Sequence, residues 1–140
     1  MQMTHDKVPP ILQRAFTLPP YESETPKLLG GYCAKCKVYS FPRSKYCKVC
    51  LNPETECVLG WQGTIYSYTV VRVKPPFGLP QPYSVGYVDL ADPKLRIFAL
   101  LDPKGISKLR IGLRVHLKVE PLGHDGKGNP RLRPFFTPAI

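Results

Sequence analysis

Residues 63–73 read GTIYSYTVVRV, and what kind of strand they form decides the fold. Strict alternation sets Ile65, Ser67, Thr69, Val71 and Val73 on one side of an extended chain and Tyr66, Tyr68, Val70 and Arg72 on the other. Gly63, near the start of this long, doubly patterned strand, suits a sharp local coil. KPPFGLPQP (74–82) has four prolines in nine residues and is a loop. Beyond it, YSVGYVDL (83–90) and KLRIFALL (94–101) are two strands joined through ADP. PKGISKLRIG (103–112) holds no more than one helical turn, with Gly112 suited to its end. RVHLKVEPL (114–122) alternates, with Val115, Leu117 and Val119 inward and Arg114, His116, Lys118 and Glu120 outward. GHDGKGNP (123–130) is a turn and RLRPFF (131–136) a closing strand. Five strands with a short helical element between the third and fourth is the order of an OB-fold barrel, so residues 58–140 are expected to be an all-β OB domain.

Upstream, residues 28–57 carry Cys33-x2-Cys36-x10-Cys47-x2-Cys50. Two residues between thiols let both sulfurs of a tight knuckle face one metal, and two such knuckles close a tetrahedral S4 site. The ten-residue spacer is hairpin length, so a rubredoxin-like zinc ribbon is expected, with iron the rival metal because tetrahedral S4 suits both. Four thiolates leave no open position, so the role is structural. The module has too few large apolar residues to fold on burial alone, and metal binding replaces the missing core. Cys57 stands outside the knuckle spacing and reads as a small, half-buried apolar residue. Residues 1–27, with Pro9, Pro10, Pro19, Pro20 and Pro26, read either as an extended arm lying on a surface, with at most a turn or two of helix over 11–16, or equally as a disordered tail.

The net charge is +10, of which the arm carries none, the cysteine module +3 and the body +7. Such a surface attracts polyanions: nucleic acid, nucleotide phosphates or an acidic protein. No apolar run approaches the roughly 20 residues of a membrane span, and MQMTHDKVPP lacks the features of a signal peptide, so a cytoplasmic location is expected. An odd count of five cysteines in a reducing compartment disfavours disulfides. His5, His116 and His124 fall in the arm, on a strand's polar face and in a turn. No Ser/His/Asp or paired-carboxylate set is visible, so no catalytic residue is assigned and the chain is not expected to be an enzyme by itself.

The ribbon followed at once by Gly60, Gly63, Ile65, Tyr66, Ser67, Tyr68, Thr69, Val70 and Val71 resembles the zinc-ribbon/OB-fold family DUF35. Pro82, Tyr83, Val85, Val88 and Leu90, then Leu109, Ile111, Gly112 and Val115, extend the resemblance over about residues 28–136. It implies a non-catalytic subunit that joins a thiolase-fold catalytic partner in a hetro-oligomer and helps hold a coenzyme A thioester. One branch of the family serves benzoylsuccinyl-CoA thiolysis in anaerobic toluene breakdown. The chain departs from the family at its N-terminus, where AFTLPPYESETP replaces a helical F-W-x-x-x-x-x-G segment. With CoA as ligand, Arg72 and Lys74 beside the proline-rich loop, Phe77 within it, and Arg131 and Arg133 on the last strand become candidate contacts, although single surface cations are more often merely solvated. The alternative is single-stranded nucleic-acid binding, with Tyr66, Tyr68, Phe77, Phe135 and Phe136 as stacking platforms. Its basic residues are dispersed singly, which weighs against it.

Overall fold

Strands with one apolar face need a dry side, and this chain supplies it by closing a sheet on itself. The computed structural model describes residues 8–12, 15–17 and 25–139. Strands β1 (Leu29–Cys33), β2 (Val38–Ser40) and β3 (Thr55–Val58) form an antiparallel sheet in the order β2-β1-β3. Strands β4 (Gln62–Val71), β5 (Tyr83–Leu90), β6 (Arg96–Leu101), β7 (Arg114–His124) and β8 (Pro130–Pro138) close a barrel in the order β4-β5-β6-β8-β7. A 3-10 helix, Pro103–Lys108, lies between β6 and β7, with Asp102 capping it through the Lys104 N–H at 2.9 Å. This is the expected all-β, five-stranded architecture. Among the described residues no helix is long and apolar enough to cross a membrane.

The alternation in β7 holds: Val115, Leu117 and Val119 are buried while Arg114 and Lys118 are exposed. The strict two-face alternation expected of residues 63–73 does not. The register slips between Ile65 and Ser67, so Tyr66 is an extra residue in the ladder. Ile65 is buried, yet Thr69 is exposed, Val73 is 71% exposed and the strand ends at Val71. A bulge adds one residue and breaks a period of two, which strict alternation cannot represent. Gly86, opposite Tyr68 just past the slip, has no room for a side chain, because a Cβ there would meet the Ser67 carbonyl oxygen. Gly63 is equally confined: its Cβ would lie 2.6 Å from the Asp89 carbonyl oxygen.

The core is continuous beyond the barrel. Leu28 and Leu59, joined by a backbone hydrogen bond of 2.8 Å at one end of the small sheet, belong to the same buried cluster as Ile65, Val88, Leu117 and Phe136. The described parts of the N-terminal arm join it too. Pro9 and Ile11 exchange backbone hydrogen bonds with Leu132 of β8, and Ala15 and Thr17 bond Leu29 and Lys27 beside β1. Val8 and Phe16 are each 2% exposed. The arm therefore contributes two core side chains rather than only lying on a surface. The helical turn expected over 11–16 falls partly outside the described residues.

Candidate metal centre

Each C-x-x-C stretch folds into the same local loop. In the first, the Lys37 N–H donates to the Cys33 carbonyl at 2.7 Å, and the Cys36 N–H approaches the Cys33 Sγ at 3.4 Å. In the second, the Leu51 N–H donates to the Cys47 carbonyl at 2.9 Å, and the Val49 N–H approaches the Cys47 Sγ at 3.4 Å. The residue after each second cysteine is left-handed, with φ 56° at Lys37 and 63° at Leu51. These turns bring the four sulfurs within 4.8 Å of one another, Cys33 and Cys50 at 3.5 Å. A tetrahedron with bonds of about 2.3 Å has edges of about 3.8 Å, so the cage fits a zinc-sized ion. Cys33 and Cys47 are buried, while Cys36 and Cys50 are partly exposed.

Two thiols of the cage are shifted in opposite directions. The N–H groups of Cys50 and Val49, in that order, hold the Cys47 thiol down at about 7. Hydrogen bonding with the Cys50 thiol, then burial, pushes the Cys36 thiol up to about 12. Clustered sulfurs retain a shared proton unless a positive ion takes its place. Cys57 lies on β3 opposite Gly30, outside the sulfur cluster and packed against the core, and burial is the main cause that raises its thiol.

Two supports of the cage were not read from the sequence. β3 was not expected as a separate strand. The buried Glu54 carboxylate accepts from the Ser40 Oγ at 2.8 Å and the Ser44 N–H at 3.2 Å, tying the spacer to the segment that enters β3. The Gly30–Gly31 pair was the available signal. A Cβ on Gly31 would sit 2.5 Å from the Glu54 Oε1.

The five residues expected to meet CoA are divided. Phe77, with φ 54°, and Arg133 come together, the guanidinium carbon lying 5.9 Å from the ring centroid. Arg133 donates to the carbonyls of Leu122 and His124, each at 2.8 Å, and burial lowers its pKa. Arg131 is bound to Asp125 at 2.8 Å in the turn before β8. Arg72 and Lys74 are exposed, and no ion pair or side-chain hydrogen bond joins them to the other three among the described residues. The guanidinium groups of Arg131 and Arg133 are thus largely committed to the fold. Of the proposed stacking platforms, Tyr66, Tyr68 and Phe77 are exposed. Phe135 and Phe136 are buried at 4% and 1%, which corrects their assignment: consecutive strand residues point to opposite faces, and both faces of β8 are covered here. His116 sits edge-on to Trp61 at 6.1 Å, and His5 lies outside the described residues.

Residues 58–120 match the family model for the C-terminal OB-fold domain of ChsH2. The chain is 38% identical over 84 residues to the benzoylsuccinyl-CoA thiolase subunit BbsA of Thauera aromatica, covering 59% of this chain and 57% of that one. It therefore spans little more than half the length of that relative. A DUF35 domain-containing scaffold protein of Methanocaldococcus jannaschii is 28% identical over 102 residues, covering 71% of this chain and 72% of that protein. Among solved structures, the chain is similar to one described as Ltp2-ChsH2(DUF35) aldolase, with a TM-score of 0.64 and 28% identity over 81% of this chain and 86% of that one.

Proposed function

We propose that this chain is a DUF35-type OB-fold protein with the role of a non-catalytic subunit in a thiolase-type assembly. The observation that carries this reading is the 38% identity to a relative named as a thiolase subunit. The chemistry of the chain agrees. A four-thiolate cage leaves no coordination position for substrate, so a zinc ion held by Cys33, Cys36, Cys47 and Cys50 would staple the ribbon and take no part in turnover. The buried or partly buried acids already have structural work: Glu54 holds Ser40 and Ser44, Asp102 caps the 3-10 helix and accepts from Thr137, and Asp125 organises its turn. Residues of this kind shape a surface.

In this reading, residues 1–27 form an arm, 28–57 a zinc ribbon and 58–140 an OB domain, and a thiolase-fold partner supplies the nucleophile. The loop carrying Phe77, with Arg72 and Lys74 at its base, is where a CoA thioester is expected to meet the chain, since those two side chains are exposed and form no ion pair among the described residues. Benzoylsuccinyl-CoA is the substrate that the thiolase-subunit relative suggests. The test is co-purification of the untagged partner from the native cell, with identification by mass spectrometry. A thiolase-fold chain at near-equal stoichiometry is expected. Nucleic acid in its place would overturn the reading in favour of strand binding.

A further inference from the structure

We propose that the outer face of the barrel, where β4, β5, β6 and β7 meet, is a nucleotide site, with a cationic cleft for phosphate and an aromatic pair beside it for the base. The cleft is open and has a volume of about 980 Å³, at the upper end of the range of roughly 300–1,000 Å³ typical of small-molecule sites. Three cations line it: Lys94, Arg96 and Arg114. Among the described residues the one acid on its wall, Asp89, is paired with Arg96 through bonds of 2.6 and 3.2 Å, which leaves Lys94 and Arg114 as the two unpaired cations. Gln62 and Thr64 add neutral hydrogen-bonding groups.

Arg96 is held in place before any ligand arrives. Its guanidinium carbon stands 3.3 Å from the Tyr66 ring centroid while Asp89 grips its edge. A guanidinium fixed in this way loses little further rotamer freedom when it meets an anion. Tyr66 is the unpaired residue of the β4 bulge, two along from Thr64, which is registered with Asp89 and through it with Arg96. Lys94 and Arg114 are exposed and have no ion-pair partner among the described residues.

The register supplies the second half of the site. Asp89 is opposite Arg96, and two residues along the same face Tyr87 is opposite Phe98. Those rings are 5.3 Å apart in an edge-to-face arrangement and are 44% and 58% exposed. Two residues along a strand is about 7 Å, a spacing comparable to that between the phosphate and the base of a nucleotide. A charged pair beside an exposed aromatic pair suits one planar, phosphorylated ligand. A nucleic-acid strand would call for cations along a track, whereas these converge on one cleft. The site shares no residue with the Phe77–Arg133 cluster, and it holds whether or not the assembly forms.

Calorimetric titration of the full, metal-loaded chain with ADP, adenosine and pyrophosphate tests it. ADP is expected to bind more tightly than either fragment. Replacing both Lys94 and Arg114 by alanine removes two exposed charge-assisted contacts and should weaken ADP and pyrophosphate by roughly tenfold or more. The pair Tyr87→Ala and Phe98→Ala should weaken ADP and leave pyrophosphate unchanged. Amide shifts on titration should concentrate at residues 62–64, 94–96 and 114, and an unchanged spectrum of each free variant confirms that it folds. ADP affinity that is absent, or equal in wild type and the Lys94/Arg114 variant, overturns the site. So do shifts centred on residues 77–79 and 122–124, and so does an oligothymidylate that binds at the same residues far more tightly than ADP. Because the measurement uses the free chain, its failure leaves the assembly reading standing, and loss of the thiolase partner leaves the nucleotide site standing.

Discussion

Lys37 and Leu51 each follow the second cysteine of a knuckle, and each takes a left-handed backbone that its side chain disfavours. That conformation costs a non-glycine residue roughly 1–2 kcal/mol, while glycine gives back part of the gain as entropy of the unfolded chain. Lys37→Gly and Leu51→Gly should therefore hold the metal at least as well as wild type, with a net gain on the order of 0.5–1 kcal/mol each in chelator titrations. Weaker metal retention in both would show that the side chains, not the turn, support the cage. Cys57 gives the complementary test. Its sulfur lies outside the cluster, so Cys57→Ser should keep one metal per chain by elemental analysis, whereas Cys47→Ser should lose it. Zinc content with no visible absorption would separate zinc from iron. The cluster of four sulfurs was legible in the sequence because each knuckle is local: two residues fix where both sulfurs point. The left-handed turns were not, because neither position carries the glycine that usually announces one.

Strand existence could be read from patterning, and strand irregularity could not. β5 begins and ends at Tyr83 and Leu90, as its composition implied, and β7 buries the three side chains that its alternation assigns inward. β4 departs because a bulge is a relation between two strands, and alternation within one strand carries no trace of it. Gly86 is the partner feature. A methyl group there would collide with the Ser67 carbonyl and crowd the Tyr68 Cα at 2.8 Å, both of them backbone. Gly86→Ala should thus destabilise the barrel by about 1–3 kcal/mol or more, read as a lower midpoint in urea. A midpoint equal to wild type would mean that β4 and β5 can part locally at no cost, and that the bulge does not fix Tyr66 beneath Arg96. The candidate CoA residues show the same limit at the level of elements. Their loops and strands were placed well enough, but Arg131 and Arg133 turned out to serve Asp125 and two backbone carbonyls, partners that only the folded hairpin brings within reach.

At the scale of the molecule, the open matter is whether ribbon and barrel fold as one. Composition pointed to separable modules: a ribbon that needs its metal and a barrel with its own alternating faces. The structure joins them through Leu28, Leu59 and Phe16, all 1–2% exposed and all in the cluster that also holds Ile65 and Phe136. Phe16 was hidden from pattern reading because it stands alone in a proline-broken segment with no periodicity to mark it. Its backbone bridge to Leu28 makes the arm a fourth participant beside β1. Phe16→Ala should cost about 3–5 kcal/mol if the surroundings cannot collapse into the space. Hydrogen exchange locates that cost. With a shared core, Phe16→Ala lowers protection in β1 and β3 and also in the barrel strands facing Leu28 and Leu59. Removing the metal through Cys47→Ser should abolish protection in β1–β3, yet leave β5, β6 and β7 measurably protected, because Val88, Ile97, Leu101, Val115 and Leu117 are covered by one another. If Phe16→Ala left the barrel's protection untouched, the continuity of the cluster would be geometric only, and the ribbon could be treated as a tethered appendage in any assembly it enters.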